Sequence, residues 1–183
     1  MVLTYIKNSL KLILILSFCC SFSTDDNHWL NKNGLKKLEK SLCKTWGSDR
    51  FEKKHIYIAN EKLSELNLKK NSLYEISIDK ELKGYLFLDT QRSKFDTFDY
   101  MVIFNKDLSI KKADILVYRE AYGGEICSKV FLKQFQGKNN QSKIKIGDDI
   151  QGISGATISC RAAVQGIKSL TKKAVILKEE GYF

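Results

Sequence analysis

The residues of this chain best placed to do chemistry lie in one run, Asp148-Asp-Ile-Gln-Gly-Ile-Ser-Gly-Ala-Thr-Ile-Ser159. Gly152 and Gly155 let the backbone come close to a ligand, and Ser154 and Thr157 offer hydroxyls. An apolar-periodic stretch follows at once, so the free N–H groups and the positive dipole end of a helix beginning near Ile158 would face an anion, a phosphate above all. The same residue types also make an ordinary hydroxyl-rich helix cap.

Other reactive residues are sparse. Apart from Cys19 and Cys20, the cysteines are Cys43, Cys127 and Cys160, without CxxC spacing, and His28 and His55 are the only imidazoles. No zinc ligand set is legible in that pattern, and no metal site is expected. An exported chain can pair two of the three thiols, but the spacing does not choose which two; buried free thiols are the alternative.

The elements that must position the 148–159 run can be read from periodicity. Val164, Ile167 and Leu170 form one apolar stripe, predicting a helix over 158–173 with Lys172 and Lys173 near its negative end. Ser128 can cap a helix over 128–136 carrying Phe131, Leu132 and Phe135, with Gly137 as its left-handed stop. Upstream the period is two. Tyr74, Ile76 and Ile78 lead through 80–83 into 84–88, and 100–104 lead through Asn105-Lys-Asp107 into 108–118, which gives two antiparallel hairpins and a meander of about four strands. Leu35, Leu38 and Leu42 predict an amphipathic helix over 35–44; 55–58 and 144–146 are short strand candidates, and 61–68 a helical turn or two. The fold class is α+β, an antiparallel β-meander packed with helices.

The first residues are an address rather than a fold. Lys7 and Lys11 precede an apolar run over 12–20 that ends before Asp25 and Asp26, a secretory signal pattern about half the roughly 20 residues a spanning helix needs. Leu16-Ser-Phe-Cys19 also resembles a bacterial lipobox, with Cys19 or Cys20 as the lipidated residue. The chain of 183 residues carries 31 Lys plus Arg against 21 Asp plus Glu, a net +10; cleavage before Cys19 removes two lysines, and 10 − 2 leaves +8. Such a balance suits an anionic ligand, an anionic lipid surface or nucleic acid. The lysines are spread along the chain rather than gathered on one recognition element, and export separates the protein from most nucleic acid, so no nucleic-acid partner is expected. No proline-rich, collagen-like or solenoid pattern is present.

Ser154-Gly-Ala-Thr157 resembles the Ser-Gly-Ala-Thr motif of the FMN-binding domain family, which includes the G subunit of the Rnf complex and the C subunit of the sodium-translocating NADH:quinone reductase. Arg119-Glu-Ala-Tyr-Gly-Gly124 is similar to the family's Glu-Thr-Pro-Gly segment, keeping Glu120 and Gly123, and the run 131–138 is similar to the helix and Gly-Lys that come next. Together the matching pieces span about 84–173. The resemblance implies FMN as cofactor, joined to Thr157 through a phosphoester by an ApbE-type magnesium-dependent flavin transferase. Ser154, Gly155 and Ala156 would shape the phosphate turn, and Glu120, Gly123 and Lys138 would line the flavin site. Tyr118 and Tyr122 are aromatic residues near a strand end, which either stack on a flavin or pack in the core or at its rim. One departure stands out: the family's aspartate six positions before the modified threonine is Gln151 here, with Asp148 and Asp149 slightly earlier.

These features imply a signal or lipoprotein signal over 1–24 and a single FMN-binding domain over 25–183. The expected function is an exported flavoprotein electron carrier, membrane-anchored outside the cytoplasm, with an unknown membrane donor and acceptor, and no catalytic acid or base of its own. The alternative is a non-redox basic lipoprotein whose same turn binds a phosphate-bearing ligand or an anionic surface.

Overall fold

Five strands lie side by side in the order in which the chain makes them, in a computed structural model that describes residues 29–47 and 50–183. They are β1 (Phe51–His55), β2 (Leu73–Ile78), β3 (Glu81–Arg92), β4 (Thr97–Phe104) and β5 (Ile110–Tyr118), all antiparallel to their neighbours. This is the expected α+β meander with one more strand at its edge. Cys19 and Cys20 lie outside the described residues.

Period two explains why the sheet has two apolar faces. Along β4, Phe98, Tyr100, Val102 and Phe104 bury against one core, while Met101 and Ile103 bury against another. Helix α1 (Lys32–Trp46) covers the second face with Leu38 and Leu42, both wholly buried and each stabilising by roughly 2 kcal/mol. Asn31 caps it through its side chain to Gly34 N, 2.8 Å, and Gly47 ends it at φ +65°. A short α2 (Asn60–Glu65) packs Leu63 into the first core.

The first core is closed by α3 (Lys129–Lys133) and by α4 (Thr157–Glu179), whose stripe of Val164, Ile167 and Leu170 continues through Ala174 and Leu177. Those two further buried residues carry the helix past 173. Its close approach to the sheet depends on Gly166: a Cβ there would meet the Tyr100 hydroxyl at 2.7 Å. Among the described residues no helix is long and apolar enough to cross a membrane.

Several boundaries differ from the periodicity reading. The β2–β3 reversal falls at Asp79 and Lys80, at φ +51° and +65°, so a two-residue turn joins strands that are paired from Ile78 and Glu81. His55 ends β1 rather than opening a strand; the Ile56 amide still bonds the Leu73 carbonyl at 2.9 Å, and Ile56 and Ile58 bury in the first core. The helix expected over 128–136 is shortened to α3 and preceded by a 3-10 turn over Gly124–Cys127, although Ser128 is its cap and Gly137 takes φ +80° as expected. Residues 144–146 form no strand, only an isolated bridge between Ile146 and Ile150, because the chain there wraps around Asp149.

Candidate functional site

Helix α4 begins without a side-chain cap. Its N-cap position is Ala156, buried and at φ −111°, and neither Ser154 nor Thr157 caps the helix. A long helix that starts on alanine leaves its first N–H groups and its positive dipole end open to an exogenous acceptor. Thr157 is the first helical residue and is exposed, as are Ser154 and Gly155. Gly155 sits at φ +81°, a left-handed position in which a side chain is strained. The hydroxyl-rich run is therefore not an ordinary cap.

Three segments distant in sequence meet at this helix end through Ser159. Its Oγ lies 2.9 Å from the Tyr118 hydroxyl at the end of β5 and 3.1 Å from Ser93 Oγ at the end of β3. The Tyr118 hydroxyl donates its single proton to the Tyr122 carbonyl, 2.7 Å, so Ser159 must be the donor to Tyr118. Gly123, at φ +84°, completes the junction: a Cβ would stand 2.3 Å from Ser159 Oγ and 2.7 Å from the Tyr118 hydroxyl.

Glu120 works one step away. Its carboxylate accepts the Phe95 and Asp96 amides at 2.8 and 2.9 Å and so holds the β3–β4 hairpin tip against the end of β5. The Asp96 amide foremost, and Phe95 after it, keep this carboxyl below the usual glutamate range. Next to it Arg119 pairs with the buried Asp99, which also accepts from the Thr90 hydroxyl at 2.7 Å. The strand ends that carry the site are thus pinned by charge-assisted bonds.

Lys138 bonds Asp149 at 2.8 Å, and the same carboxylate accepts the Lys145 amide at 2.8 Å and the Ile144 amide at 3.1 Å. Burial works against ionisation of Asp149, but Lys138 and the two amides outweigh it and bring the carboxyl from 3.8 to about 2. A carboxyl lowered by folding adds stability above its unfolded value and loses it as pH falls through the folded one. The 144–150 loop should therefore stay closed at neutral pH and loosen as pH drops from 3.8 towards 2, seen as lost exchange protection at the Lys145 amide. Gln151 is held by its backbone: its amide donates to Gln134 Oε1 at 2.6 Å and its carbonyl accepts from Gln134 Nε2 at 3.1 Å.

Of the residues singled out from sequence, Ser154, Gly155, Ala156 and Thr157 form the open turn, and Gly123 packs directly behind it. Glu120 holds the hairpin and Lys138 the preceding loop. Ser93 and Phe95 had no legible signal, and Gln134 and Ser159 were visible only as members of the 131–138 and 148–159 runs, since each matters through a partner from another element. Phe95 is 71% exposed, Tyr122 83% and Ile158 47%, so the three segments gathered here each carry bare apolar surface. Cys127 and Cys160 are free thiols.

Residues 95–172 match the family model of the FMN-binding domain. This stretch is an FMN-binding domain. It runs from Phe95 at the hairpin tip to Lys172 within α4, and so takes in Glu120, Gly123, the open turn and Ser159. The part of the fold that precedes the FMN-binding domain supplies α1, β1, α2, β2 and β3. Among solved structures the chain is similar to the crystal structure of NqrC from Shewanella oneidensis, with 15% identity, a TM-score of 0.46 and 62% of each chain covered. Comparison with curated proteins gives no match.

Proposed function

We propose that this protein is an exported electron carrier whose FMN is esterified through its phosphate to Thr157. The observation that carries the proposal is the uncapped start of α4, which presents an exposed threonine hydroxyl beside free helix N–H groups inside an FMN-binding domain. Bound FMN would supply the redox chemistry. The chain's own residues do the rest. Thr157 offers the ester oxygen, the first amides of α4 donate to the phosphate, Gly155 lets the turn form, and Phe95, Tyr122 and Ile158 offer apolar surface to a ring. A covalent tether suits an exported carrier, because a dissociable cofactor would be lost by mass action where free FMN is scarce.

Intact mass of protein exported alongside an ApbE-type magnesium-dependent flavin transferase tests this directly. The expected result is the processed chain plus one FMN residue, with yellow colour retained after denaturation; an unmodified Thr157 peptide overturns the covalent link. The same assay addresses Gln151. Its side chain is exposed and its backbone is already held by Gln134, so Gln151→Asp should leave the fold intact and raise the flavinylated fraction if the transferase reads a carboxylate there. A lowered fraction would contradict that recognition.

Export and anchoring rest on 1–24 and on Cys19 or Cys20. A single acyl chain holds a protein only marginally, so firm retention needs several on one cysteine. Cys19→Ser with Cys20→Ser should release the flavoprotein from the membrane fraction; unchanged retention would assign the anchor to an uncleaved helix or a partner.

A further inference from the structure

A second surface lies apart from the flavin turn. Between α1 and α3, along the outer edge of β5, runs a cleft of about 780 Å³ that shares no residue with 152–160. Eight lysines line it: four from α1, among them Lys37 and Lys44, then Lys111 and Lys112 of β5, and Lys129 and Lys133 of α3. Asp114 is the one acidic residue in the lining, so 8 − 1 leaves +7. Its carboxylate accepts from Ser41 Oγ at 2.9 Å and pairs with Lys37 at 3.6 Å; among the described residues no other lysine of the cleft is in an ion pair. Dispersed in sequence, these charges are gathered by packing.

Charge of this density repels itself unless an anion joins it. Lys112 registers the strain: burial foremost, then Lys44, Lys129 and Lys37, hold its ammonium below the usual lysine range against the opposing pull of Asp114. The shape narrows the choice of anion. Lys112 and Asp114 are half-buried inside a concavity, where a flat bilayer reaches only the rims. No aromatic ring and no arginine lines the cleft, so the stacking platforms and guanidinium forks that favour nucleic acid are missing. What it does offer is a strand edge. Beyond Ile110, whose amide and carbonyl bond Lys138 and Gly137, no backbone bond from any segment other than β4 reaches β5 among the described residues, so its outer edge is open. An extended chain can pair with such an edge, while the lysines on it deter pairing between two copies of this protein.

We propose that the β5 cleft docks an extended acidic segment of a partner protein, its backbone along residues 111–114 and its carboxylates on the flanking lysines. Docking here leaves the turn at Thr157 free and does not depend on whether flavin is attached. The test is fluorescence anisotropy of a labelled ten-residue oligoglutamate with the full chain, flavinylated and unflavinylated. Binding should weaken roughly tenfold or more in K111E/K133E. It should be little changed in K143E/K172E, which alters net charge equally at exposed positions outside the cleft. Alternate N-methylation of the peptide should also weaken it, by removing the donors that pair with the strand edge. Equal binding by the two double variants, or indifference to N-methylation, overturns the proposal. So does tighter binding of equimolar phosphatidylglycerol–phosphatidylcholine vesicles, or of oligothymidylate, that is lost in K111E/K133E alone.

Discussion

Thr157→Val is expected to yield a folded protein that carries no flavin after export with the transferase. Valine keeps the shape of threonine and removes the one oxygen through which the ester would form. Because the hydroxyl caps nothing and the side chain is exposed, stability should move by no more than about 0.5 kcal/mol. The two readouts therefore separate. Colour and the mass adduct should vanish while the urea midpoint holds, and Ser154→Ala, three residues away in the same turn, should keep the adduct. Full modification of the Thr157→Val chain would place the ester elsewhere.

Gly123→Ala is expected to be the most damaging single-methyl change at the site. The residue is left-handed at φ +84°, which costs an alanine about 1–2 kcal/mol. Its new Cβ would also fall 2.3 Å from Ser159 Oγ and 2.7 Å from the Tyr118 hydroxyl, so the bonds joining β5, the 122–124 loop and α4 must break or shift. Each lost bond adds about 1 kcal/mol, for a total of roughly 2–4 kcal/mol in urea unfolding. Gly155→Ala supplies the control. It is left-handed at φ +81° but would meet nothing within 4 Å, and should cost only the backbone share. Equal losses at the two glycines would show that the close packing behind the turn contributes nothing.

Both predictions use residues that were visible in the sequence, yet for reasons of unequal depth. Thr157 could be singled out because the glycines, the hydroxyls and the start of a periodic stretch are adjacent in the chain. Gly123 could be singled out only through a resemblance, and its physical reason, the approach of Ser159 and Tyr118, appears once α4 lies against the end of β5. The strand candidate over 144–146 shows the reverse. Two isoleucines alternating with a lysine satisfy the local pattern, but Asp149 takes the amides of Ile144 and Lys145 that a neighbouring strand would have needed.

Local spacing by itself determined the meander, the helix stripes, the Ser128 cap and the threonine turn, because each is written in residues a few positions apart and follows from the period of a strand or a helix. Tertiary structure alone decided that the hydroxyls before α4 leave it uncapped, that Glu120 fastens a hairpin and that Lys138 fastens a loop. It also turned lysines that look dispersed along the chain into one cleft of net +7, from 8 − 1. The reason is that hydrogen-bond partners and electrostatic fields depend on distance in space, and that distance is set by which faces α1, α3 and α4 bury against the sheet.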